Sequence, residues 1–381
     1  MKNTKMLAVA AVAILAVAAI GAFALAQGGE EEKKGLYRLN ADVSLVDMGR
    51  CSATPGVIMT IEQIYKDYYG DIGHDGLTLD DAKGDAEFWS QYGSWDSIVT
   101  KEEDGTLSLL ISSAAKGPET VNMPVADNVV VMGTMYSETI YFLACAANNV
   151  APYSEESFKN EAVMGYIGSV VAGGMDYTYY EEYDTRFLLD AVDKSTYADL
   201  KVNSVQRIDP ELLTTVLNKV SDNGSKNTVY LASGTRISSA EHYSNNTAPA
   251  TRAGVHYAFF APSTISDVFQ SIECIGAIMG FDDVTIDKVV QDIQLRLYKV
   301  HKAVEDSNKG KEPAKAYWEG SSGTAVSSAM ATVILDYLGF DASLLDGAEH
   351  DMESLLSEKP KLILFYTNDG RSDAEKMRTD T

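Results

Sequence analysis

Tyrosines cluster in one short stretch of the sequence, which contains Tyr177, Tyr179, Tyr180 and Tyr183. A tyrosine ring offers a flat face for stacking against a macrocycle, and its phenolate can bind ferric iron. An edge strand rich in tyrosine, with one side buried, would show the same letters, so packing alone is the alternative. The stretch therefore gives Tyr177, Tyr179 and Tyr180 as candidate ligand-binding residues.

Further candidates lie where predicted strands end. Ligands of open α/β sheets bind beyond the carboxyl ends of the strands. Arg236 lies in such a loop, Ser233-Gly-Thr-Arg236, where its guanidinium could hold a carboxylate; a structural salt bridge is the alternative in so acidic a chain. The other candidates of this kind are Tyr136, Trp318, Glu319 and Arg371.

Strand and helix patterns alternate from Asp104 onward. Residues 106–112 and 120–124 predict a hairpin, residues 128–133 a buried strand, and the segment from Ser137 a helix. Further strands are predicted within 228–233 and 255–260. This alternation predicts an α/β fold with mostly parallel sheets and helices on both faces.

A long helical pattern without proline follows. Its apolar stripe is Ile286, Val289, Val290, Ile293, Leu297, Val300 and Val304. Such a stripe predicts one helix about 30 Å long. The helix before it is predicted to stop at Gly280, and the strand-like segment Lys315-Ala-Tyr-Trp-Glu319 comes after it.

This order of elements, with Cys274-Ile-Gly-Ala-Ile-Met-Gly280 ahead of the long helix, resembles the periplasmic-binding-protein family that captures ferric siderophores, haem and cobalamin for ABC importers. The resemblance, to a surface version of archaeal type with an N-terminal extension, covers roughly residues 104 to 370. It implies two Rossmann-like lobes joined by one long backbone helix, with the ligand in the cleft between them. The family's basic residue before the first strand is Asn128 here.

Two glutamates match the family positions that engage arginines of the permease. They are Glu211 in Asp209-Pro-Glu and Glu353 in Asp351-Met-Glu. The alternative is a structural one, because a glutamate in the first turn of a helix is favoured by the helix dipole and by capping.

The predicted organisation has six parts. They are a signal peptide or membrane anchor (1–27), an acidic linker (28–35), an accessory region (36–103), an N-terminal lobe (104–262), bridging helices (263–308) and a short C-terminal lobe (309–381). The accessory region could complete the short lobe; otherwise that lobe is reduced or the chain truncated. A calcium-loop pattern at Asp71, Asp75 and Gly76 has Ala82 at its closing position, so it lacks a ligand that the loop needs.

The N-terminal segment combines Lys2 and Lys5 with about twenty uncharged residues, which is typical of an export signal. Ala24-Leu-Ala26 offers a cleavage site, and the length would also allow an uncleaved anchor. The expected location is therefore extracytoplasmic, either secreted or tethered to the outer face of the cytoplasmic membrane.

Composition excludes several classes of protein. A net charge of −24 argues against binding to nucleic acid, which needs clustered Lys and Arg. No nucleophile elbow, His-Glu-x-x-His motif or phosphate loop is found, so no enzyme is predicted. The cysteines Cys51, Cys145 and Cys274 are too few and too widely spaced for a metal cluster, and core packing is expected for Cys145 and Cys274.

The sequence thus predicts a solute-binding protein of an ABC importer with no intrinsic cofactor. Its partners would be the permease and ATPase subunits and a small metal complex, namely a ferric siderophore, haem or cobalamin. The alternative is a surface-anchored interaction or adhesion protein on the same two-lobe scaffold.

Overall fold

The computed structural model describes residues 11–16, 45–47, 61–62, 64–66, 68–70, 73–88, 98–132, 134–152, 155–163, 170–173, 208–319, 325–326, 329–350, 355 and 357–366. The chain divides into two compact units. The central unit consists of Trp89–Ile293 with Ser52–Pro55. The terminal unit consists of Met1–Cys51, Gly56–Phe88 and Gln294–Thr381.

The strands in chain order are β1 (Ala11–Ala16), β2 (Leu45–Asp47), β3 (Thr100–Lys101), β4 (Leu107–Ser113), β5 (Gly117–Met123), β6 (Asn128–Met132), β7 (Val170–Gly173), β8 (Thr228–Ser233), β9 (His256–Phe260), β10 (Ala314–Glu319), β11 (Phe340–Asp341) and β12 (Leu362–Tyr366). The helices are α1 (Leu79–Gly84), α2 (Thr134–Ala147), α3 (Glu155–Lys159), α4 (Pro210–Val220), α5 (Ala240–Arg252), α6 (Ile265–Ile278), α7 (Asp283–Asn308) and α8 (Ala329–Tyr337). A short 3-10 helix, Gly234–Arg236, follows β8.

The central unit contains a four-stranded sheet in the order β7-β6-β8-β9, and every pair in it is parallel. All six residues of β8 are buried, as expected for an inner strand covered on both faces. A separate antiparallel sheet contains β3, β4 and β5. The mostly parallel α/β fold predicted from the alternation is confirmed.

The terminal unit contains a sheet in the order β11-β10-β12-β1-β2. Strand β10 pairs in parallel with β11 and β12, whereas β1 pairs antiparallel with β12 and β2. Strand β1 falls inside the segment predicted to be a signal or anchor, whose other residues, like the linker 28–35, lie outside the described residues. Within the described ranges, no helix is long and apolar enough to cross a membrane.

Helix α7 belongs to both units. Its 26 residues span about 39 Å, and the boundary between the units falls between Ile293 and Gln294. The predicted stripe from Ile286 to Val304 is buried at every position. Helix α6 ends as predicted, because Gly280 adopts a left-handed φ of 74° and the amide of Phe281 donates to the carbonyl of Gly276. The chain also passes from the terminal to the central unit after Phe88.

The described part of the accessory region is divided between the units. Residues 61–88 lie in the terminal unit, where Ile61, Ile64 and Phe88 are buried. Strand β3 instead pairs with β4 in the central unit. Residues 61–88 therefore supply core to the unit whose C-terminal segment is short.

Four contacts fasten residues 61–88 to α7 and to the turn after α8. The hydroxyl of Tyr69 donates to the carbonyl of Leu338 at 2.8 Å. The Phe88 ring packs edge-on against Tyr298, with ring centroids 5.3 Å apart. The ion pairs are Glu62 with Arg296 and Asp85 with Lys302.

Asp71, the first residue of the calcium-loop pattern, lies outside the described residues. Asp81 accepts hydrogen bonds from the backbone N–H and the hydroxyl of Thr78, which caps α1. No group of three or more His, Cys, Asp or Glu side chains in the described ranges could hold a metal ion. Cys145 and Cys274 are free and buried, as expected for core residues.

Candidate functional site

The carboxyl edge of the central sheet is formed by the ends of four parallel strands, at Met132, Gly173, Ser233 and Phe260. Helix α2 starts directly after β6 and carries Tyr136 in its first turn. The Tyr136 side chain is fully buried, and its hydroxyl lies 3.1 Å from the carbonyl oxygen of Ala232 and 3.2 Å from that of Phe260. Tyr136 thus links the carboxyl ends of β8 and β9 through its hydroxyl group.

Burial keeps Tyr136 in its protonated form. Desolvation raises its pKa well above the usual range. The hydroxyl therefore acts as a neutral donor rather than as a phenolate. The geometry gives Tyr136 a part in fixing the edge, and direct contact with a ligand stays a prediction.

The hairpin of β4 and β5 closes over the exit of β8. The amide of Ala114 donates to the carbonyl of Gly234 at 3.0 Å, and that of Ala115 donates to Ile237 at 2.8 Å. A Cβ atom at position 234 would lie 2.2 Å from the carbonyl oxygen of Ser112 and 2.8 Å from the carbonyl carbon of Phe260. Only glycine fits this approach of three backbone segments.

Arg236 lies two residues beyond this closure and is exposed. Among the residues described, its guanidinium forms no ion pair or hydrogen bond, so the structural salt bridge considered from the sequence is not observed there. Next to it, the hydroxyls of Ser233 and Thr235 lie 2.8 Å apart. Among the described residues, the carboxyl edge of the central sheet therefore presents the Arg236 guanidinium beside the hydroxyl groups of Ser233 and Thr235.

The corresponding edge of the terminal unit includes the end of β10. Trp318 is 2% exposed, and its indole Nε1 has no hydrogen-bond partner among the described residues. Glu319, the last residue of the strand, is half-buried. Of these two predicted ligand-binding residues, only Glu319 is partly exposed to solvent.

Glu319 belongs to a polar cluster that sequence reasoning did not find. The Tyr317 hydroxyl donates to Glu319 Oε2 at 3.4 Å, and His350 packs edge-on against the Tyr317 ring at 5.5 Å. His350 Nε2 lies 3.0 Å from Asp346 Oδ1. Burial and the nearby carboxylates raise the pKa of Tyr317 to about 12, so it remains a neutral donor.

Nothing in the sequence pairs His350 with Tyr317. The two residues lie on opposite sides of helix α8 in the chain, and irregular chain after β11 brings them together. The one available signal was alternation along β10, which puts Tyr317 and Glu319 on the same face of the strand.

Glu211 occupies the first turn of α4 and is exposed. The helix begins with Pro210, and the Asp209 carboxylate caps it by accepting from the amides of Glu211 (2.9 Å) and Leu212 (3.2 Å). Because Asp209 already serves as the cap, the Glu211 carboxylate is not needed for capping. It is available to a partner.

The remaining predicted site residues lie outside the described residues. They are Tyr177, Tyr179, Tyr180, Glu353 and Arg371. Of the described ones, Tyr136 and Arg236 share the carboxyl edge of the central sheet, and Trp318 and Glu319 share the end of β10.

Comparison with known proteins finds similarity at the level of structure. The iron-uptake ABC-transporter substrate-binding protein PiuA from Streptococcus pneumoniae has 15% identity over 67% of this chain and 75% of its own, with a TM-score of 0.42. CeuE of Helicobacter pylori, in a complex with Ni-His, has 14% identity over 67% of this chain and 70% of its own, with a TM-score of 0.37. The periplasmic vitamin B12-binding protein BtuF of Vibrio cholerae has 12% identity over 63% of this chain and 76% of its own, with a TM-score of 0.37.

These are proteins of the kind that the sequence resemblance names. No protein-family model matches the chain, and no curated protein matches it significantly.

Proposed function

We propose that this chain is an extracytoplasmic solute-binding protein of an ABC importer. It binds an iron complex, such as a siderophore or haem, or a corrinoid in the cleft between its lobes and delivers it to a permease. The observation that carries the proposal is helix α7, a single 26-residue helix that contributes to two units, one with a parallel sheet and one with a mixed sheet. A single helix between the lobes would resist the wide hinge closure that flexible strand linkers permit.

The chemistry of the central sheet's edge suits an anionic ligand. Arg236 has no partner among the described residues, and guanidinium groups hold carboxylates in a bidentate geometry. Carboxylates are present on many siderophores and on haem. In a chain with a net charge of −24, one cation at a strand exit would help to select and orient such a ligand.

Delivery would use Glu211 on the central unit and Glu353 on the terminal unit. Glu211 is exposed at the start of α4, with its cap supplied by another residue. Its carboxylate could pair with an arginine of the permease without any loss to the helix.

Ligand binding can be tested by the visible spectrum of the protein purified from its native host, followed by calorimetry with haem, cobalamin and ferric siderophores. A bound haem, corrinoid or ferric phenolate would be recognised by its spectrum. Failure of all three classes to bind would contradict the proposal.

The position of the ligand can be tested by substituting two arginines at opposite edges of the central sheet. Arg236 is at the carboxyl edge of the central sheet, whereas Arg252 ends α5 just before β9 and is therefore at the amino edge; both are exposed. Arg236→Gln should weaken an anionic ligand about tenfold, the equivalent of about 1.4 kcal/mol, whereas Arg252→Gln should not change its affinity. Equal effects would show that the contribution is only long-range charge.

Docking can be tested with two glutamates that share a helix-start position. Glu211 and Glu241 both lie in the first turn of a helix and are exposed. Glu211→Gln should reduce the stimulation of the importer's ATPase in reconstituted vesicles, and Glu241→Gln should leave it unchanged. Since both changes remove the same favourable charge from a helix dipole, a difference would report docking.

In the alternative, a surface interaction or adhesion protein, the accessory region would bind the partner. In the structure, residues 61–88 use Ile61, Tyr65 and Phe88 to build the core of the terminal unit. This use of the segment favours the transport proposal.

A further inference from the structure

The turn between α4 and β8 is an exposed projection of the central unit. Residues 222–227 are all exposed. Three successive residues adopt left-handed backbone angles, with φ values of 51° at Asp222, 54° at Asn223 and 85° at Gly224. Asn, Asp and Gly tolerate this conformation better than other residues, so the sequence suits the turn.

The backbone of the turn is tied down while the Asn223 side chain is free. The amide of Asn223 donates to the carbonyl of Asn218 at 2.8 Å, and the amide of Gly224 donates to Ser221 Oγ at 3.1 Å. Within the part of the chain that the structure describes, the carboxamide of Asn223 makes no hydrogen bond. It projects into solvent from a defined backbone.

Asn223-Gly-Ser225 is also a complete acceptor sequence for N-glycosylation. We propose that Asn223 carries an N-linked glycan. The side-chain nitrogen of Asn223 would form a bond to the anomeric carbon of an oligosaccharide carried on a polyprenyl phosphate. The bond from that carbon to the lipid phosphate breaks, and the amide proton leaves with the phosphate group.

The second acceptor sequence of the chain, Asn245-Asn-Thr247, is a natural control. It lies inside α5, where Thr247 is 9% exposed and its hydroxyl donates to the carbonyl of Tyr243 at 2.9 Å. The hydroxyl at this position is part of the recognition sequence. The Ser225 hydroxyl also has a partner, Asp222 Oδ2 at 3.0 Å, but Ser225 and Asp222 are both exposed, whereas Thr247 is buried within the helix. The folded protein therefore offers Asn223 and withholds Asn245.

The position of Asn223 keeps a glycan away from the proposed site. The turn precedes β8 and thus lies at the amino edge of the parallel sheet, whereas Arg236 lies at the carboxyl edge. Glu211 lies at the start of helix α4 and the turn follows its end, so the two are about 15 Å apart along the helix axis. A glycan at Asn223 would cover surface without obstructing the ligand or the docking residue.

The proposal rests on the export of the chain, which belongs to the proposed function. The test is peptide mapping of the full protein isolated from its native host, from the fraction outside the cytoplasmic membrane. Trypsin separates the two acceptor sequences, because Asn223 falls in peptide 220–226 and Asn245 in peptide 237–252. The expected result is a saccharide mass on peptide 220–226 only.

Three variants make the assignment specific. Asn223→Asp keeps a residue that tolerates the left-handed backbone, and Ser225→Ala keeps the asparagine; each should abolish the modification completely. Asn245→Asp should leave it intact. Melting curves of all three should match that of the wild type, which separates a lost acceptor from a lost fold.

Two results would overturn the proposal while leaving the proposed function in place. One is an unmodified peptide 220–226 in protein recovered outside the membrane, and the other is modification of peptide 237–252 instead. Recovery of the protein only from the cytoplasm would overturn the glycan and the proposed function together.

Discussion

The central unit takes its parallel sheet from one continuous run of chain, from β6 to β9, whereas the terminal unit collects its parts from both ends of the sequence. In the terminal unit, residues 61–88 pack on the second half of α7 and on the chain around Leu338 and Phe340. Contacts between distant segments cost more loop-closure entropy than local ones. We therefore expect the stability of the terminal unit to depend on a few long-range contacts, and that of the central unit on its hairpin and sheet.

Phe88→Ala should have the largest effect. The Phe88 ring is 2% exposed and packs on Tyr298 and His301. Removing it should destabilise the terminal unit by about 3–5 kcal/mol. The loss can be measured by urea unfolding, followed by tryptophan fluorescence, in a protein that also carries Trp89→Phe and Trp95→Phe. Trp318 is then the sole tryptophan, and it lies in the terminal unit.

Phe259→Ala is the matched change in the central unit, where Phe259 is fully buried. It should leave the urea unfolding of the terminal unit unchanged. It should raise the rate of hydrogen exchange in peptides from β8 and β9. If either variant shifted both units equally, the two units would unfold as one and the comparison would fail.

Gly234→Ala should perturb the central unit alone. The new Cβ would lie 2.2 Å from the carbonyl oxygen of Ser112, so the hairpin turn must move, at a cost of about 1–3 kcal/mol. Hydrogen exchange of peptides covering 107–123 should increase. Gly84→Ala is the control, since its Cβ would have nothing within 4 Å; unchanged exchange in the Gly234 variant would contradict the hairpin closure.

Glu62→Gln tests the ion pair that fastens residues 61–88 to α7. Arg296 donates through Nε to Glu62 Oε1 at 2.6 Å and through a second nitrogen to Oε2, and both side chains are mostly buried. Loss of this fork should cost about 1 kcal/mol in the terminal unit.

The exposed pair Lys315 and Glu358 provides the comparison for that change. Both side chains are more than a third exposed, so Glu358→Gln should cost much less stability than Glu62→Gln. Chemical denaturation with a non-ionic denaturant would measure both. Equal costs would show that the fork to Arg296 has no special part in holding the segment.

The pH dependence of the terminal unit should be the smallest effect. Burial lowers the pKa of His301, which lies between the rings of Phe88 and Tyr337; Lys302 also lowers it, while Asp85, Glu87 and Glu305 oppose the shift. A histidine whose folded pKa is depressed favours folding above its unfolded pKa of about 6.5. This contribution is lost as the pH falls below that value.

His301→Phe should preserve the ring packing and flatten this decline between neutral and mildly acidic pH. His256 is the counterpart in the central unit, because burial lowers its pKa too. His256→Phe should change the pH dependence of the central unit only. Melting temperatures measured from pH 7 downward would distinguish the two, and an undiminished decline in the His301 variant would refute its role.

Much of the fold was predictable because it is local. The apolar stripe of α7, the stop at Gly280 and the alternation from β6 to β9 follow from periodicity and from the conformational freedom of glycine. The exposure of Arg236 and Glu211 agrees with their positions after a strand and at a helix start.

The packing of side chains around the site was not predictable. Trp318 was expected at a cleft, yet its ring is buried, because β10 has strands on both sides and both of its faces are covered. The hydroxyl of Tyr136 donates to the carbonyls of Ala232 and Phe260, which its place in the sequence does not reveal, and its contact with a ligand stays a prediction. The sequence shows that a residue follows a strand. Its burial depends on side chains and backbone from segments that are distant in the sequence.

The sequence by itself therefore determined the class of fold, the long helix and the order of strands, since these depend on spacings of two to four residues along one segment. Only the tertiary structure decided that residues 61–88 pack in the terminal unit and that the hairpin closes over Gly234. Both depend on contacts between segments far apart in the chain. Such contacts are chosen by shape and by which surfaces remain uncovered once the local elements have formed.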